Sequence, residues 1–83
     1  MNEYSLGQYI VSDAQICHGQ PTFRGTRILV ETVLDQAARG MSWDEISNEW
    51  RGRVTREAIE EALRLAGRAF VDHAREYGVA AAK

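Results

Sequence analysis

Gly19, Pro21 and Gly25 stand close together and divide this chain into two stretches that must fold by different rules. Proline lacks the amide a helix needs, and glycine in a helix interior costs about 1 kcal/mol relative to alanine, so no helix can run through residues 16–29. That stretch reads as extended and punctuated. Thr22-Phe23 and Thr26-Arg27-Ile28 flank Arg24-Gly25, and glycine in the second position accepts the positive φ of a tight hairpin turn. Upstream, Tyr9-Ile10-Val11 is a short β-prone run closed by Ser12-Asp13 as a turn. The first seven residues read as a loose terminus in which Tyr4 and Leu6 can pack.

From Val30 onward the period changes to that of a helix. Val30, Val33, Leu34, Ala37 and Ala38 recur at helical spacing, and Gly40 is a natural stop after Arg39. Ser42-Trp43-Asp44-Glu45 has the form of a capping box, in which serine and glutamate satisfy each other's backbone amides. Trp43, Ile46 and Trp50 then form one apolar stripe, ending near Arg51-Gly52. Thr55 can cap a third helix, with Glu57 favourable in its first turn. Ile59, Leu63, Ala66, Phe70, Ala74 and Tyr77 carry its main row, and Ala58, Ala62, Leu65 and Ala69 a second one. Unbroken over residues 55–77, it would measure roughly 34 Å. Gly67 is a place for it to bend or to admit a close neighbour. The reading is a mainly α fold, a three-helix (helix-turn-helix) core with a short N-terminal β-hairpin or extended segment and a long C-terminal helix. One domain spans 1–83, divided into an extended element over 1–29, a helical core over 30–66 and a helical extension over 67–83.

A single domain of 83 residues builds only a small core. One cysteine, Cys17, allows no internal disulfide and suits a reducing compartment. Oligomerisation is then the expected way to bury more surface, and a homodimer is expected. Met1-Asn2-Glu3 has no basic character and no apolar run follows it, so neither an export signal nor a membrane span is expected, and the protein is placed in the cytoplasm. Cys17 and His18 are adjacent, His73 is the other histidine, and no second Cys/His pair exists, so no metal and no cofactor is expected. Paired carboxylates such as Asp44-Glu45 and Glu60-Glu61 sit on helices, where they are normally solvated. No phosphate-loop or dinucleotide spacing occurs, and the chain is too short to enclose a drug-sized pocket behind a complete shell. The expectation is a binding protein and not an enzyme.

The net charge of −2 argues against a purely electrostatic nucleic-acid binder, yet nine of the ten cations are arginines. Arginine makes planar bidentate contacts to carboxylate or phosphate. Arg51, Arg53, Thr55 and Arg56 lie where a helix-turn-helix unit would meet DNA, and Arg24 and Arg27 lie on the hairpin as further candidates. Glu57, Glu60 and Glu61 would repel phosphates from the same helix, and a solvated face with i,i+4 pairs is the plain alternative. Beyond the core, Arg68, Phe70, Val71, Arg75 and Tyr77 form an overhanging surface expected to meet a partner or a second copy.

The run Ile16-Cys17-His18-Gly19-Gln20-Pro21-Thr22-Phe23-Arg24-Gly25-Thr26-Arg27-Ile28 resembles the signature of the bacterial family known as domain of unknown function 433, whose members read I-x-G-G-x-P-x-I-x-G-T-R-I here. The likeness continues through Val30, Gly40-Met41-Ser42, Glu45-Ile46, Thr55, Ile59 and Ala62-Leu63. His18 departs from the family, where glycine is usual, and so does Trp50-Arg51, where tyrosine and proline are common. The resemblance implies an antitoxin-like protein with a homeodomain-like helical core and an amino-terminal β-element, of a type II toxin–antitoxin pair of the VapBC sort. Its partner would be a PIN-like ribonuclease toxin encoded nearby. It would bind operator DNA as a dimer, repressing its own operon, and Arg68 or Arg75 would meet the toxin's metal-binding carboxylates. A protein-interaction module without DNA binding is the alternative.

Overall fold

A computed structural model of the chain describes residues 3–78, apart from the side chain of Tyr77. Met1, Asn2 and the last five residues, which enter the terminal and C-terminal extension readings above, lie outside the described residues. The elements run β1 (Glu3–Ser5), β2 (Ile10–Asp13), β3 (Ile16–Phe23), α1 (Val30–Ala38), α2 (Trp43–Glu49), α3 (Arg56–Asp72) and α4 (Ala74–Tyr77).

The N-terminal third is a three-stranded antiparallel sheet in the order β1-β2-β3, which corrects the mainly α, homeodomain-like reading with its single hairpin. Two local features hid the sheet. Ser12 and Asp13 read as a turn but belong to β2, pairing with Pro21 and Ile16. The reversal falls one step later, where the Asp13 Oδ1 accepts the Gln15 amide at 2.9 Å and folds the chain over residues 14–15. Glu3-Tyr4-Ser5, taken as terminus, pairs with residues 11–13 of β2. A turn does form at Arg24-Gly25, with Gly25 at φ 78° and the Thr26 amide donating to the Phe23 carbonyl. It returns the chain through a single bridge between Thr22 and Leu29, without a second strand.

Alternation along the strands gives the sheet two faces. Ile10 and Phe23, paired across β2 and β3, point into the core with Val33, Ile46 and Ile59 from the helices and Val54 from the α2–α3 turn. Val11 and Thr22, the next pair, are also buried but on the opposite face. Pro21 is tolerated because β3 is an edge strand with no ladder partner on its outer side.

The helices follow the sequence closely at their starts. Ser42 Oγ accepts the Glu45 amide at 3.1 Å, while the Ser42 amide donates to Glu45 Oε1 at 2.7 Å. Thr55 Oγ1 accepts the Ala58 amide at 3.2 Å. α3 passes through Gly67 as helix, and nothing lies within 4 Å of a side chain added there. It stops at Asp72, not at Tyr77. His73 leaves the helical region at φ −118°, and its ring Nδ1 donates to Glu76 Oε2 at 2.8 Å within the short α4.

One contact fastens the two layers together. The Glu61 carboxylate accepts the amides of Gln8 and Tyr9, both at 2.8 Å, so α3 grips the turn between β1 and β2. Gly7 leaves room for it, since a Cβ there would sit 2.6 Å from the carboxylate carbon. Glu61 had read as a solvated surface acid, and it is a structural one. Arg24 fastens the same turn from the other side. It donates to the Gln8 carbonyl at 3.0 Å, the Gly7 carbonyl at 3.0 Å and Ser5 Oγ at 2.9 Å. Glu61→Ala should destabilise the chain by roughly 2 kcal/mol, the scale of lost charge-assisted hydrogen bonds. Gly7→Ala should cost a comparable amount alone and almost nothing added to Glu61→Ala. Urea denaturation of the four proteins measures this, and additive losses would break the link between the two residues.

Candidate functional site

α3 is longer than the core it covers. Its buried residues, Ala58, Ile59 and Ala62, lie in the first half, while Phe70 and Val71 are 61% and 73% exposed. The radius of gyration is 14.2 Å, against about 12 Å for a compact domain of this length. An apolar groove of about 600 Å³ runs along this helix where it meets α1 and the sheet edge, walled by Leu6, Pro21, Leu34, Leu65, Ala66 and Ala69. The sequence foresaw an exposed surface beyond residue 67. The groove itself begins earlier, at Leu34 and Leu65, and depends on the sheet that the sequence had hidden.

The arginines divide into two groups. Arg24 is committed to the β1–β2 turn. Arg56 stacks on the Trp43 ring with its guanidinium carbon 5.1 Å from the centroid, and donates to Asp44 Oδ1 at 3.2 Å. Arg39 and Arg64 pair with Asp35 and Glu60 one turn away. The Thr55 hydroxyl is used as a helix cap. Arg27, Arg51, Arg53, Arg68 and Arg75 are exposed, and their guanidinium groups have no hydrogen bond or ion pair among the described residues. The structure thus brings together only part of the predicted DNA-facing set. Arg51 and Arg53 share the α2–α3 turn, and Arg27 lines a cleft with Arg53. Arg24 and Arg56 are occupied elsewhere. Arg68 lies on the exposed half of α3 and Arg75 on α4, while the Tyr77 side chain lies outside the described residues.

That cleft, of about 720 Å³, lies on the face of the sheet away from the core. Val11, Thr22 and Ile16 form its floor, and the segment after β3 and the α2–α3 turn form its walls. Among the described residues no cluster of three or more metal-binding side chains occurs. No described helix is long and apolar enough to cross a membrane.

A family model described as "Protein of unknown function (DUF433)" matches residues 10–66, more than half of the chain. The chain belongs to that family. No curated protein and no solved structure matches it. The matched span covers β2 through the first half of α3, so the exposed end of α3 lies beyond it.

The structure gives the DUF433-like motif a physical meaning. Gly25 supplies the positive φ of the turn after β3, and the Thr26 hydroxyl donates to the Phe23 carbonyl at 2.8 Å while accepting the Ile28 amide at 2.9 Å. Ile28 enters the core, and Arg27 is left on the surface. Cys17, His18 and Gly19 take left-handed φ values of 53°, 57° and 84° in succession, within the irregular stretch where β3 bows away from β2. His18 is therefore a side chain in a conformation that favours glycine, the residue expected there from the family resemblance. Arg51, after Cys17 and His18, is a third side chain in that conformation, at φ 57°. Its amide donates to Asn48 and the Gly52 amide to Ser47, closing α2 in the six-to-one pattern usually completed by glycine. A proline, with φ fixed near −65°, cannot take this position, so α2 closes here without the usual tyrosine–proline pair. His18→Gly should raise stability by about 0.5–1 kcal/mol, the left-handed strain relieved less the entropy glycine adds to the unfolded chain. A loss of stability in thermal denaturation would mean that the His18 side chain makes a contact worth more than that strain.

Proposed function

We propose that this DUF433 protein is the antitoxin-like member of a type II toxin–antitoxin pair, acting in the cytoplasm by binding and without catalysis. The observation that carries the reading is the apolar groove beside the exposed half of α3, which the other described residues leave uncovered. Contiguous apolar surface of this kind ordinarily marks a protein interface. The partner is a PIN-like ribonuclease whose surface lies along α3, with Arg68 and Arg75 placed to meet its acidic metal-binding groups.

Operator binding belongs to the same proposal, in a form narrower than the sequence suggested. Arg51 and Arg53, both without a partner among the described residues, present two cations on the turn before α3. A homodimer would double these contacts and raise affinity for a symmetric operator. The second reading, a protein-interaction module without DNA binding, is favoured by the loss of Arg24 and Arg56 to internal contacts and by exposed Glu57 and Glu60 on α3.

Two experiments separate these readings. Coexpression with the PIN-like ribonuclease encoded beside it should relieve growth arrest. Ala66→Glu, which puts a charge in the groove at an exposed helix position, should abolish both rescue and copurification. No rescue by the intact chain refutes the antitoxin assignment. For DNA, a mobility shift on the upstream sequence should give an affinity that falls with salt. Arg51→Gly with Arg53→Ala should lower the slope of log affinity against log salt by about 2. Absence of any shift, with or without the ribonuclease, leaves the interaction module as the surviving reading.

A further inference from the structure

We infer that the cleft on the outer face of the sheet is a binding site for a small amphipathic oxyanion, a molecule with one carboxylate or phosphate head on an apolar body. The volume of about 720 Å³ falls within the range of small-ligand sites. Its lining has the usual division of such sites. Val11, Ile16, Ile28, Leu29 and Trp50 supply apolar surface, and a few polar groups converge at the edges.

The charges in the cleft favour an anion, although two acids share it with two arginines. Glu3 is engaged by Arg24 at 3.8 Å, and Asp13 Oδ1 accepts the Gln15 amide at 2.9 Å. Arg27 and Arg53, from the segment after β3 and from the α2–α3 turn, have no internal partner among the described residues. Two guanidinium groups lining one cleft suit an oxyanion, since arginine makes bidentate contacts to carboxylate and phosphate. The Thr22 hydroxyl, on the strand face that forms the floor, is buried and has no hydrogen-bond partner. A buried hydroxyl without a partner is uncommon and often lies near a functional site. A polyanion is disfavoured, because the carboxyl groups of Glu3 and Asp13 stand beside the site and the chain carries a net −2. The apolar floor also has no role in binding a bare phosphate chain. This site shares no wall with the groove along α3, so it stands whether or not a ribonuclease partner exists.

The test uses the full-length chain and its two tryptophans, Trp43 and Trp50. Trp50 lines the cleft and donates its indole N–H to Gln36 Oε1 at 2.9 Å, whereas Trp43 lies against Arg56. Octanoate and phenyl phosphate are titrated while amide and indole proton–nitrogen resonances are followed. Inorganic phosphate, octanol and a short oligothymidylate are titrated in parallel. Saturable shifts at Thr26, Arg27, Arg53 and the Trp50 indole, with the Trp43 indole unmoved, are expected from octanoate or phenyl phosphate, and which of the two binds tighter assigns the head group. Arg27→Gln with Arg53→Gln, both at exposed positions, should weaken that binding at least about tenfold, since hydrogen bonds to charged groups are worth about 1.5–3 kcal/mol each. The proposal is overturned by equal binding of octanol, by equal binding of inorganic phosphate, by tighter binding of the oligonucleotide, or by shifts confined to the α3 groove. It is equally overturned if neither amphipathic probe saturates.

Discussion

A carboxylate on one helix holding two amides of a strand turn is the contact on which this small fold depends. Glu61 reaches from α3 to Gln8 and Tyr9, and the residues on either side of that turn lead into β1 and β2. Without it, the three-stranded sheet would meet the helices mainly through Ile10 and Phe23, a narrow apolar seam. The sheet is too small to be stable by itself, since short antiparallel ribbons need a packed face. Fastening its first turn to α3 fixes the orientation of both sheet faces at once. One face then closes the core, and the other forms the floor of the arginine-walled cleft.

The distribution of arginine follows from the same economy of surface. Where an acid or a carbonyl lies within reach, arginine serves the fold, as Arg24 does for the β1–β2 turn and Arg56 for Trp43 and Asp44. Where none does, the guanidinium is left to solvent, and those positions fall on two surfaces. Arg27, Arg51 and Arg53 surround the α2–α3 turn, and Arg68 and Arg75 lie on the C-terminal helices. Ion pairs exposed on helices, such as Arg39 with Asp35, contribute little to stability. The arginines without a partner among the described residues are therefore the ones available for the contacts proposed above, and two of them, Arg27 and Arg53, line the outer-face cleft.

Much of the helical half was legible in the sequence, because helix starts are encoded by local chemistry. The Ser42–Glu45 capping box and the Thr55 cap are formed within three residues and need no tertiary context. The sheet was not legible, for the opposite reason. β1 is three residues long and β2 four, and both carry polar residues that also suit turns, so only pairing between distant residues defines them. The end of α3 was misread because apolar spacing continues past Asp72, while the backbone leaves the helix at His73. At the site, the exposed end of α3 could be read from residues that had no core left to cover. The cleft could not, since its walls meet only after β3, α1 and the α2–α3 turn are assembled. Its clue was Arg27 inside the Gly25-Thr26-Arg27-Ile28 motif, the one member of that group with no duty in the turn or the core.

The account stands most directly on whether the sheet and α3 open as one unit. Native-state hydrogen exchange at single-residue resolution measures this at the Gln8 and Tyr9 amides, which have no backbone acceptor and would exchange freely in an unfastened turn. The account predicts that both amides open with the same free energy as Ile59 and Ala62 in the buried half of α3. Exchange at Gln8 and Tyr9 as fast as in an exposed loop, with Ile59 and Ala62 still protected, would contradict it.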